Sequence, residues 1–235
     1  MAGLRRAVDA GLVSFPGRHV EFWGATGPQF RQIDMQGGVI RARGAARETV
    51  LKVNGQGREQ LRAGDFDAFL FYGARLRVTE FFAPILHRWQ EQPGFASRAA
   101  LQAATRAFLR STRAWRMAAS LAEQGAELHF VPAPFPTAGV IDHAAPGGLL
   151  DLYPGAALAG AGERGRIWSL LREASAEAGV ALVSQPEDTV IDGIFTDPRF
   201  AVEGAAEKRD AGHKSPEFAA QMLGQVAVPT LRRAA

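Results

Sequence analysis

The chain has 235 residues, 47% of them apolar and 22% charged, with 27 Lys and Arg against 24 Asp and Glu. That balance describes one globular domain, 1–235, with a sizeable core, and excludes a disordered or low-complexity chain. The absence of Cys excludes disulfide frameworks and thiolate sites and suits a cytoplasmic protein, and no apolar run reaches the roughly 18 residues of a membrane span.

In chain order, residues 2–13 read as a helix, with Leu4, Ala7, Val8 and Leu12 on one face. Residues 19–23 read as a strand, closed by a turn from Gly24 to Pro28. Residues 38–43 and 49–53 are β-prone pieces that suggest a hairpin, and Asn54-Gly55-Gln56-Gly57 is a turn. Residues 66–72 form an apolar strand ending at Gly73; so continuous a run suggests a strand covered on both faces. Residues 78–90 are apolar and partly helical, and a long helix covers 97–123. A strand at 127–131 ends at the Pro-rich stretch 132–136, and a Gly- and Pro-rich loop runs over 137–158. A helix at 161–178, a strand at 180–183, a loop over 186–211 and a final helix at 215–228 complete the chain. Helices between apolar strands argue for an α/β fold, a doubly wound parallel sheet in which 66–72, 127–131 and 180–183 are neighbours. The first βα unit of such a sheet usually sits centrally, and here the strand expected before the first helix is absent.

The candidate chemistry lies near the C-terminus, at Asp210-Ala211-Gly212-His213 on a turn before a helix. A carboxylate three residues before an imidazole suits an acid–base pair: the Asp holds one ring nitrogen while the other faces a substrate or nucleophile. In spacing, order and position this block resembles the last block of the SGNH (GDSL-like) hydrolases. Their third block places a Gly and then an Asn after a central apolar strand; Gly73 matches the Gly, and Arg75 stands where the Asn is expected. Gly24 or Gly27 fills the place of the second block.

The resemblance implies a three-layer α/β/α esterase fold and hydrolysis of an acyl or carbohydrate O-acetyl ester, with no cofactor. His213 would be the general base, Asp210 its orienting acid, and Gly73, with Gly24 and Arg75, the oxyanion and substrate-binding donors. The family's nucleophilic Ser stands in a Gly-x-Ser motif directly before the first helix, where this chain reads Met1-Ala2-Gly3. Two readings follow: a chain that starts one strand too late, inactive as it stands, or a diverged, non-catalytic binding or accessory protein with the same fold. Among the remaining serines, Ser184 alone is expected near a strand end.

Other constellations carry less. Asp142-His143 are adjacent, so their side chains point apart. His129 and His87 suit packing, and no His pair has zinc spacing, so no metal is expected. The Arg residues are scattered without a nucleic-acid module, so no nucleic-acid partner is expected. Arg75 suits an oxyanion or a substrate carboxylate, or else an ion pair with Glu80. Oligomeric state and the identity of the acyl group are not legible.

Overall fold

The computed structural model describes residues 2–224. Helix α1 is Ala2–Asp9. A three-stranded antiparallel sheet follows from β1 (Ile33–Gln36), β2 (Val39–Ala42) and β3 (Gln60–Leu61), with α2 (Gly44–Asn54) between the last two. The long strand β4 (Ala68–Arg77) leads into α3 (Val78–Glu91), α4 (Arg98–Ser111) and α5 (Arg113–Glu123). Then come β5 (Glu127–Ala133), the single turn α6 (Leu149–Leu152), α7 (Ala161–Ala176) and β6 (Ala181–Leu182). A small hairpin of β7 (Val190–Ile191) and β8 (Phe195–Thr196) precedes α8 (Pro216–Gly224).

The expected parallel neighbours are present. β4, β5 and β6 lie in that order in one sheet, and both pairings are parallel. Period-two alternation gives the sheet two apolar faces. Phe69, Phe71, Leu128 and Phe130 join the large core with Phe82, Trp115, Leu121, Ile167 and Trp168 from α3, α5 and α7. Leu70 and Tyr72 point the other way, toward Leu4 and Ala7 of α1 and Phe218, Ala219 and Met222 of α8. The protein is thus a mixed α/β structure with a parallel sheet flanked by helices. β5 is central and β4 is at the margin of the sheet.

Gly73 marks an irregularity in β4. It adopts φ +60, and the register to β5 slips on either side of Ala74. A left-handed residue inside a strand favours Gly and re-aims the residues beyond it. Past this bulge lie Arg75 and Arg77.

Four local expectations are corrected. Residues 19–23 form no strand; side chains hold the segment instead, with Trp23 Nε1 donating to the Arg58 carbonyl (3.1 Å) and Glu21 paired with Arg58 (3.0 Å). Residues 49–53 belong to α2, where Ala46, Val50 and Asn54 are buried at four-residue spacing and Gly55 (φ 64) supplies the left-handed cap. The hairpin partner of β2 is β1 instead.

The expected 97–123 helix is two helices, because Thr112 is extended (φ −93, ψ 128). Ser111 Oγ turns back to the Phe108 carbonyl, and Arg116 donates to the carbonyls of Arg110 (2.8 Å) and Ser111 (3.1 Å). These bonds satisfy carbonyls that continued helix would have used. The 186–211 loop contains β7 and β8, joined through Asp192 and Gly193, both at positive φ. The part of the final helix expected over 225–228 lies outside the described residues.

Candidate active site

Asp210 and His213 meet as their spacing suggests. Asp210 Oδ1 accepts from the backbone N–H of Gly212 (3.2 Å) and of His213 (3.0 Å), which folds the segment into a tight turn. That turn brings Oδ2 to 2.8 Å from His213 Nδ1. Burial pushes the Asp210 carboxyl upward, but the backbone N–H and ring of His213 and the Gly212 N–H outweigh it and hold it below the usual range. The carboxylate is therefore ionised at neutral pH and accepts from Nδ1–H, which turns Nε2 outward. The His213 side chain is 77% exposed and that of Asp210 28%, so the base faces solvent over a partly shielded acid.

Three elements hold this turn. The N–H of Thr137, just beyond β5, donates to the Ala211 carbonyl (2.9 Å), and the N–H of Ser215 donates to that of Phe200 (2.9 Å). The third contact comes from α1: a Cβ built on Gly3 would stand 2.8 Å from the Lys214 carbonyl oxygen. The first turn of α1 therefore lies directly against the residue that follows His213.

Lys214 itself was not singled out by its sequence context. Its side chain is buried, and Nζ donates to the Ala211 carbonyl (2.7 Å) and, more weakly, to that of Gly212 (3.3 Å). Burial lowers its pKa to about 7 against the opposing pull of Asp210. A lysine straight after the histidine, in a loop of small residues, was the one available sign.

The glycine and arginine candidates sit on other segments. Gly73 is exposed in the β4 bulge, and Gly24 is half-buried in the segment before the first 3-10 turn. Arg75 packs on that segment: a Cβ at Gly27 would collide with its Nη2. Arg75 does not pair with Glu80, which pairs with Arg77 at 3.2 Å. No hydrogen bond or ion pair among the described residues joins Arg75 or Gly73 to the Asp210–His213 turn.

The serines have other partners. Ser184 Oγ accepts from Arg172 (2.7 Å), Ser97 caps α4 and Ser175 bonds back to the Leu171 carbonyl. Ser215 Oγ accepts from the Phe218 N–H at the start of α8. Among the other histidines, His129 lies 3.0 Å from Glu127, and His87 Nδ1 accepts from the Gly155 N–H (3.2 Å), tying the long loop to α3. His143 packs on Phe195, and burial lowers its pKa despite Asp142. Among the described residues no three His, Asp or Glu cluster as metal ligands, and no helix is long and apolar enough to cross a membrane.

No protein-family description, curated protein or solved structure matches this chain.

Proposed function

We propose that this domain is built for serine ester hydrolysis of the SGNH type, on an acyl or carbohydrate O-acetyl ester, with the nucleophile presented directly ahead of α1. The observation that carries the reading is the 2.8 Å bond between Asp210 and His213, on a turn that touches the first residues of α1. A hydroxyl presented just ahead of that helix would enter beside the backbone that follows His213.

In the reaction, Nε2 takes the serine proton as Oγ attacks the ester carbonyl, and Asp210 stabilises the imidazolium. By the hydrolase resemblance, the oxyanion donors would be the N–H groups of Gly73 and Gly24, with Arg75 beside them, which requires that strand edge to meet the His213 turn. His213 then returns the proton to the departing alkoxide, and water repeats the sequence on the acyl-enzyme. In this scheme Asp210 is the orienting acid and His213 the base, and the serine would come from a Gly-x-Ser segment ahead of α1. A second reading is favoured by the commitments of the serines: a binding or accessory protein with the same fold.

Aryl acetate and O-acetyl-sugar assays separate the two. The 235-residue chain is expected to turn over no faster than its His213→Ala variant. Joined to an N-terminal strand ending in Gly-x-Ser, it is expected to gain activity that falls by about 10³-fold or more on His213→Ala. An extended protein that folds and stays inert across the ester panel would establish the binding reading. His213-dependent turnover by the short chain would instead point to a serine such as Ser184, released from Arg172.

A further inference from the structure

Arg31, Arg75 and Arg113 converge on one cleft of about 220 Å³, whose other walls are Phe30, Thr112 and Ala114. They reach it from three separate places: the 3-10 turn before β1, the end of β4 and the first residue of α5. None of the six lining residues is acidic. Among the described residues no ion pair involves any of the three arginines; Glu80 pairs with Arg77 and Asp34 Oδ2 with Arg43, while Asp34 Oδ1 has no hydrogen-bond partner. Like charges gathered without a counter-charge repel one another, so the arrangement is favourable when an anion sits between them.

All three arginines are exposed at the surface, and one of them is tethered. Arg113 Nη1 donates to the carbonyls of Arg31 (2.9 Å) and Ile33 (3.1 Å), which ties α5 to the turn before β1. The tip of Arg75 rests on Gly27, where an added Cβ would meet Nη2. Thr112 stands at the N-cap of α5 and its hydroxyl makes no cap bond, so it remains free for a ligand. The first turn of α5 carries no acidic residue to complement its positive end.

We infer that this cleft binds a phosphoryl group, as inorganic phosphate or as a small phosphomonoester. Guanidinium forks match phosphate oxygens in geometry, and those of Arg31 and Arg75, with the remaining donors of Arg113, favour a dianion over a monoanion. At about 30 Å³ per water the cleft holds roughly seven waters' volume, enough for a phosphoryl group and a few further heavy atoms. The assignment uses neither Asp210 nor His213, and it gives Arg75 a phosphoryl oxygen in place of the ester-binding role implied by the hydrolase resemblance.

Calorimetric titration of the full chain with inorganic phosphate, at ionic strength held constant with NaCl, tests it. Saturable one-to-one binding is expected, weakened tenfold or more by Arg75→Gln and by Arg31→Gln. Arg77→Gln, on the same strand but outside the cleft, is expected to bind like the parent. Circular dichroism establishes that each variant is folded. Methyl phosphate binding more tightly than phosphate would identify a monoester as the natural ligand, and weaker binding would identify the free anion. The inference is overturned by the absence of saturable phosphate binding at millimolar concentration. It is also overturned if acetate binds as tightly as phosphate, or if both cleft variants bind like the parent.

Discussion

Lys214 couples the candidate active site to pH. Its pKa in the fold is about 7, whereas an unfolded lysine keeps its proton to about 10.5. Between those values the unfolded chain binds one more proton than the folded one, so this group makes stability rise with pH across that window. Below about pH 7 the lysine is charged in both states and its slope vanishes. Lys214→Met keeps the buried stem and is expected to flatten the rise between pH 7 and 10.5, read from urea midpoints across pH; an unchanged slope would refute the assignment. Asp210 acts in the acid range. Its lowered pKa contributes stability above the unfolded carboxyl value, lost as pH falls through the folded value. Asp210→Asn is therefore expected to remove part of the acid-limb slope, seen in the same titration. The pair itself was legible because a three-residue spacing closes one turn. Lys214 was not, since its importance arises from burial, which a surface-type residue does not advertise.

At the scale of elements, backbone hydrogen bonding decided where the sequence pattern read true. Residues 66–72, 127–131 and 180–183 were recognisable as parallel neighbours because continuous apolar runs need cover on both faces. Residues 19–23 carry the same β-prone types, but their tethers are the side chains of Trp23 and Glu21, which leave no periodic trace. The loop after β6 is held by a buried polar network equally invisible in the sequence. Gln185 Oε1 accepts from the Phe135 N–H (2.9 Å), and its Nε2 donates to Thr189 and Thr196 (both 3.1 Å). Thr189 and Thr196 in turn donate to the carbonyls of Pro186 and Phe135. Gln185→Ala strands the buried Phe135 N–H and is expected to cost about 2–4 kcal/mol, measured by urea unfolding. A loss near zero would mean that water enters and replaces the amide.

Over the whole molecule, protection should follow position in the parallel sheet. β5 is paired on both sides, β4 on one. Native-state hydrogen exchange is expected to be slowest at Leu128 to Val131 and faster at the β4 amides that face outward. Equal protection in both strands would show that something covers the β4 edge. The three arginines of the cleft illustrate what only the assembled molecule displays. They lie far apart in the chain, only Arg75 stood out in the sequence, and they meet because three elements come to one place. The extended Thr112 is what puts the start of α5 there. In unbroken helix each added residue turns everything beyond it by about 100°. At a non-helical link a change in one residue's φ and ψ absorbs such a rotation, so a residue gained or lost within α4 need not re-aim Arg113 once Arg116 gives up its bonds to Arg110 and Ser111. The wall formed by α4 and the cleft at the head of α5 can therefore tolerate insertions and deletions separately, and length variation among descendants of this chain should collect in α4 before it reaches α5.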